Sequence, residues 1–201
     1  FTDQNLYQRA FDQLEATYTK TDNVLFVIAA EDGEVFDRNT IDAIQWLTEQ
    51  SWLLPYSTRV DSLSNFQHTF ADGDTLIVED LYTDTPDFSD QPRAFADVRE
   101  IAEAEPLLFR RLVSEGNPVT GLNITFQFPK LSLTEEPEVV AEVRRLEREL
   151  PEKFPGHKLH STGNVMLGDA FSSSAQQDLS TLVPLMYLMI LIASALFLRS
   201  I

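Results

Sequence analysis

Hydrophobic and polar positions fall along this chain in three rhythms, and each predicts a different kind of element. The first has the short period of strands. Val24–Ala30 (VLFVIAA) is an apolar run rich in β-branched residues, set between Asp22-Asn23 and Glu31-Asp32-Gly33, the pattern of a buried strand. Gly121–Phe128 (GLNITFQF) places Leu122, Ile124, Phe126 and Phe128 on one face, as a half-buried strand does. Arg59–Leu63 and Lys158–Val165 read as two further strands. The second rhythm is helical. Ile41, Ile44 and Leu47 mark a helix capped by Asn39 or Thr40 that fades near Pro55. Val139, Val143, Leu146 and Leu150 mark another, opened by Thr134–Pro137 with acidic residues in its first turn and with Arg144, Arg145 and Arg148 facing water. The third rhythm is no rhythm: Leu179–Leu198 (LSTLVPLMYLMILIASALFL) is apolar throughout and carries no charge.

In chain order these elements give strand–helix–strand, an irregular middle, and strand–helix–strand again. In the middle, Asp72–Asp74 reads as a turn, Thr75–Val78 as a short apolar stretch and Thr83–Pro92 as a Pro/Asp/Ser loop. A helix with Phe95, Val98, Ile101 and Ala102 on one face follows, then a second helix from Pro106 through Leu112, stopped at Gly116-Asn117. The fold class predicted is α+β: a ferredoxin-like pair of β-α-β units with a helical insertion, followed by a transmembrane helix. The divisions expected are 1–22, an N-terminal amphipathic helix or linker from an upstream membrane helix; 23–165, the α+β domain; 166–178, a helical stem; and 179–198, the transmembrane helix.

The charge-free run has the length needed to cross a bilayer core, about 20 residues. Asp178 precedes it and Arg199 follows at once, so its far end is expected to face the cytoplasm. Pro184 lies inside it, which membrane helices tolerate. Before it, Leu167, Ala170, Phe171, Ala175 and Leu179 have helical spacing, so the stem is expected to run into the span without a break. Phe1–Lys20 is polar and amphipathic, with Leu6, Phe11, Leu14 and Tyr18 at helical spacing, and resembles neither a signal peptide nor a span. If residues 1–178 lie outside the cell membrane, an earlier membrane helix before Phe1 is the simplest means of export, and the chain reads as a piece of a larger protein.

Composition narrows the chemistry. A net charge of −17 on 201 residues repels nucleic acid and anionic headgroups, so neither is expected as a partner. Cysteine is absent, which excludes disulfides, thiolate metal sites and thiol nucleophiles within this chain. His157 and His160 are spaced for opposite faces of a strand, and His68 is the only other histidine. Asp72-Gly73-Asp74 with Glu79-Asp80 faintly suggests a calcium loop without its full ligand pattern. Asn123-Ile124-Thr125 fits a glycosylation sequon but falls inside a predicted strand. No nucleophile-elbow, phosphate-loop or dinucleotide motif occurs. No catalytic, cofactor-binding or metal residue is therefore assigned, and no enzyme activity is expected. Trp46, Trp52, Phe126, Phe128 and Phe154 are candidates either for core packing or for lining an apolar cleft.

Val60-Asp61-Ser62-Leu63-Ser64-Asn65 after the first helix, Thr162-Gly163 at the end of the last strand, Asp178, Leu179 and Pro184 in the stem and span, and Phe197-Leu198-Arg199-Ser200 at its end carry a resemblance. In this order the chain resembles the large periplasmic loop of resistance-nodulation-division (RND) exporters, in the branch related to the mycobacterial membrane protein large (MMPL) family. The resemblance implies a porter-type domain of a proton-driven transporter of hydrophobic or lipid-like molecules in the bacterial inner membrane, with the domain facing the periplasm. It implies no cofactor. Its implied partners are the rest of the same transporter polypeptide, the lipid bilayer and a lipid-like substrate; a homo-oligomer is left open. Proton-carrying acids are implied to lie in membrane helices beyond this chain, since Leu179–Leu198 has no Asp, Glu, His, Lys or Arg. Gly163, where the last strand must turn into the stem, together with Asp178 and Pro184, marks a candidate coupling stem. The sensor domain of a membrane receptor remains the alternative, and a membrane-anchored hydrolase a weaker one.

Overall fold

β1 (Asp22–Ala30) shows what the alternation does in three dimensions: Val24, Phe26 and Ile28 are buried while Asn23, Leu25 and Val27 on the other face are half-buried. The computed structural model describes residues 22–31, 33–82, 92–129 and 131–199, together with residues 7, 9, 10, 13 and 14. After β1 come α1 (Arg38–Trp52), β2 (Ser57–Asp61), β3 (Gln67–Asp72), β4 (Thr75–Asp80), α2 (Pro92–Ala104), β5 (Val119–Phe126), α3 (Glu135–Lys153), β6 (His157–Thr162) and α4 (Asn164–Arg199). The main sheet has the order β2-β5-β1-β6, and its three pairings are antiparallel. Each β-α-β unit is therefore opened by a strand of the other: β5 lies between β1 and β2, and β1 between β5 and β6. The protein is a mixed α+β fold with an antiparallel sheet and one apolar C-terminal helix.

The core lies between the sheet and the helices α1 and α3. Ile41, Ile44 and Leu47 from α1 and Val139, Val143, Leu146 and Leu150 from α3 are fully buried with Leu122, Ile124 and Phe126 of β5. These are the residues whose spacing predicted the two helices and the strand. A polar tie joins α3 to β6 outside this core. Glu147 accepts from the Ser161 hydroxyl at 2.6 Å and from Arg144 at 2.8 Å. Burial alone would raise the Glu147 carboxyl, but these two donors hold it below the usual range.

Local competition moved several elements from their expected places. The cap of α1 is Asp37, whose Oδ1 accepts from the Thr40 amide at 3.1 Å; Asn39 and Thr40 lie inside the helix. The second strand spans Ser57–Asp61 rather than Arg59–Leu63, because the segment that follows closes on itself. Asn65 Oδ1 accepts from the Ser62 amide at 2.8 Å, and Asn65 Nδ2 donates to the Val60 carbonyl at 2.8 Å. The Ser62 and Ser64 hydroxyls then meet Thr48 of α1 at 2.9 and 3.1 Å. Thr75–Val78 belongs to a hairpin, β3–β4, whose first strand the pattern did not reveal.

Residues 106–112 form turns, not a second helix. Arg110 has φ 59°, and its amide donates to the Val113 carbonyl at 2.7 Å. Val113 bridges to Thr120, and the Gly121 amide donates to the Leu112 carbonyl at 2.6 Å, so the segment folds back along β5. β5 accordingly starts at Val119 and ends at Phe126, with Phe128 beyond it. β6 ends at Thr162; Val165 is in α4, after a turn at Gly163. Of the loop expected at 83–92, Pro92 is the first residue of α2, and 83–91 lie outside the described residues, as does most of the amphipathic stretch 1–20.

α4 holds 36 residues without interruption, about 54 Å at 1.5 Å per residue. It is long and apolar enough to cross a membrane, and none of its apolar window packs into the core. Its large side chains from Leu179 to Leu198 are exposed, so within this chain the segment is not packed as a core helix.

Candidate functional site: the foot of the domain

The junction between the sheet and α4 is built around Gly163. Its φ is 115°, a conformation an L side chain rarely adopts. A Cβ there would collide with the Asn23 carbonyl oxygen and lie 3.0 Å from the Val24 Cα. β1 runs so close because β6 pairs with it up to Leu25↔Thr162, immediately before the turn. Asn23 then fastens the start of α4. Its Oδ1 accepts from the Asn164 amide at 3.3 Å, and its Nδ2 donates to Asn123 Oδ1 on β5 at 3.0 Å. Asn123, the sequon residue, is thus part of the sheet's own bonding. The first bond of the helix, Leu167 amide to Gly163 carbonyl, is 2.9 Å, and Val165 and Met166 are buried in the core.

Beyond this anchor the stem is exposed. Ser180 and Thr181 hydroxyls donate back to the Gln177 carbonyl at 2.8 and 3.0 Å, a local competition that bends helices. Pro184 cannot donate to the Ser180 carbonyl, yet the helix continues through it. Gly163, Asp178 and Pro184 are not brought together: along α4 they are spaced by about 22 and 9 Å. They mark points along one helix, not a pocket.

A cavity of about 450 Å³ does lie at this foot, between the first turn of α3 and the second turn of α4. Its apolar wall includes Phe128, Leu131, Leu133 and Val140. Its acidic wall is Asp22, Glu135, Glu136 and Asp169. Glu135 is buried, and its Oε1 accepts from the Leu131 and Ser132 amides at 2.8 and 2.9 Å. This bond holds the loop before α3 so that Leu131 and Leu133 project, 89% and 98% exposed. Of these residues, sequence reasoning offered only Phe128 as a cleft candidate; Asp22 entered as a strand boundary and Glu135 and Glu136 as the acidic first turn of a helix. The available signal was the pair of leucines in Leu131-Ser132-Leu133, two polar-flanked apolar positions without a helical or strand partner, directly ahead of Glu135-Glu136.

The other candidates are scattered. His157 is buried, its Nε2 2.9 Å from the Thr40 hydroxyl and its Nδ1 3.2 Å from the Phe154 carbonyl, while His160 faces out. Asp74 lies at the hairpin turn, whereas Asp80 pairs with Gln67 at the hairpin's opposite end. Among the described residues no cluster of His, Asp and Glu is arranged to hold a metal. The aromatics do not share a cleft: Phe126 is core, Phe128 stacks on it at 6.0 Å, Trp46 packs on Phe154 at 6.0 Å, and Trp52 is half exposed. Compared with known protein families and with curated proteins, the chain matches none of them.

Proposed function

We propose that this chain is the extracytoplasmic domain of a proton-driven RND-type transporter that exports hydrophobic or lipid-like molecules. In this reading the interleaved β-α-β units are a ferredoxin-like, porter-type domain on the periplasmic side of a bacterial inner membrane. The observation that carries the reading is α4: one helix, locked to the sheet at Gly163 and unbroken through Pro184 to Arg199. Such a helix transmits a movement of membrane helices to the domain as a unit, because packed elements shift rather than bend smoothly. The domain does no catalysis in this reading, and takes no cofactor. Its chemistry is confined to binding and to passing on motion that protonation drives elsewhere in the polypeptide.

The same unbroken helix would serve the sensor domain of a receptor, so the experiment must read transport itself. Four glycines inserted after Asp169 in the full-length protein are expected to leave the domain folded and to weaken export of a lipid-like substrate. Full export at equal protein level in the membrane would reduce the stem to a tether and remove the main support for the reading.

A further inference from the structure

We infer that the cavity at the foot of the domain binds a cationic amphiphile, a molecule with an ammonium-type head and a hydrocarbon tail. The inference deepens the transporter reading by naming a substrate class, and it is tested by binding alone. The volume of about 450 Å³ is in the range of small-molecule sites. One wall is apolar and ends in Leu131 and Leu133, large side chains held out into solvent by the Glu135 bonds rather than folded into the core. The same lining carries the carboxyl side chains of Asp22, Glu135, Glu136 and Asp169. With Glu135 occupied by backbone amides, Glu136 and Asp169 supply the accessible charge at the mouth.

No Lys or Arg lines the cavity among the described residues. A wall of this sign attracts a cationic head and repels the anionic head of a common phospholipid or fatty acid.

Gly168 adds an independent argument. It sits inside α4, where glycine is the poorest helix former after proline, and a Cβ there would be in ordinary contact, 3.6 Å from Glu136 Oε2. Alanine fits, and anything longer would grow into the cavity. A side chain no larger than a methyl group at this position therefore leaves the gap between α3 and α4 open. The position suits an amphiphile leaving a bilayer. Gly168 and Ser172 precede the start of the apolar run by about 17 and 10 Å along the helix, within reach of a tail drawn from the outer leaflet.

The test uses the chain in phosphatidylcholine nanodiscs and a dodecylammonium probe carrying a diazirine, with cross-linked peptides mapped by mass spectrometry. Labelling is expected on residues 128–140 and 166–172, displaced by dodecyltrimethylammonium and not by dodecyl sulfate. The double variant Glu136→Gln/Asp169→Asn is expected to bind about tenfold more weakly, the weight of two solvent-accessible ion pairs. Gly168→Met should abolish labelling at the cavity, and Gly168→Ala, which tests the same helix without plugging it, should retain it. Equal competition by dodecyl sulfate, labelling confined to residues 179–198, or undiminished labelling in Gly168→Met would each overturn the inference. Export that persists in the full-length protein while this site fails to bind would sink the ligand and leave the transporter reading standing.

Discussion

Replacing Gly163 by alanine tests whether the junction is as tight as its geometry implies. Two costs add. A non-glycine residue forced to φ 115° carries about 1–3 kcal/mol of backbone strain. The new Cβ also meets backbone, not a flexible side chain: the Asn23 carbonyl oxygen and carbon and the Val24 Cα. β1 cannot retreat, because it is paired on both sides, to β5 and to β6. Overpacking of this kind costs about another 1–3 kcal/mol. A total near 4 kcal/mol lowers the melting temperature of a domain this size by about 10 °C. Tryptophan fluorescence is the right probe, because Trp46 and Trp52 are both in α1 and report on the domain, while α4 stays helical in detergent. Gly168→Ala is the matched control. It has room for its Cβ and gains helix propensity, so it should be neutral or more stable by up to about 1 kcal/mol. Equal behaviour of the two variants, or a Gly163→Ala protein that melts with the wild type, would refute the close approach.

Two further outcomes follow from the core and its polar tie. Leu146→Ala removes a fully buried side chain from α3 and should cost about 2–5 kcal/mol in urea unfolding. Glu147→Gln should cost about 1–2 kcal/mol at neutral pH by weakening the bonds from Ser161 and Arg144. Because the folded carboxyl is depressed, its contribution is fully present above its unfolded value near 4.5 and is lost as pH falls through the lower folded value. The stability gap between wild type and Glu147→Gln should therefore close in acid, and a gap that widens there would contradict the assignment.

Elements whose burial is periodic were legible in the sequence. β1, β5 and the stripe Val139–Val143–Leu146–Leu150 sit where alternation and helical spacing put them, because a single face of each meets the core. The helix expected at 106–112 failed for a reason outside that logic. Leu107, Leu108 and Leu112 look helical, but Leu107 is 58% exposed and Arg110 turns back to pair Val113 with Thr120. β3 was missed because Gln67–Asp72 has little apolar content and belongs to a hairpin outside the main sheet. Gly163 was legible locally, as a glycine between a strand and a helix. The cavity was not. Asp22, Glu136 and Asp169 come from the start of β1, the first turn of α3 and the second turn of α4, and over a hundred residues separate the first from the others. No periodicity records such a meeting; only the strand order, which sets β1 beside β6 and so beside α4, creates it.

That same strand order ties the proposed coupling to the proposed site. The stem leaves the domain where β1 begins, and the joint has no slack: Gly163 lies against Asn23, the Asn164 amide is held by the Asn23 side chain, and Val165 and Met166 are set in the core. A tilt of α4 cannot be absorbed at this joint by a loop, since none is present between β6 and α4. It passes either into β1, the strand bonded to both β5 and β6, or into the gap between α4 and α3. The second path needs less. Ser172 is nine residues beyond Gly163, about 13 Å along the helix, so a tilt of about 5° moves it by roughly 1 Å relative to α3. The sheet stays intact under that movement while the cavity widens or narrows. If the transporter reading holds, tilting the stem and changing the grip on an amphiphile are one event, and a glycine insertion after Asp169, which falls between the anchor and Ser172, severs them together.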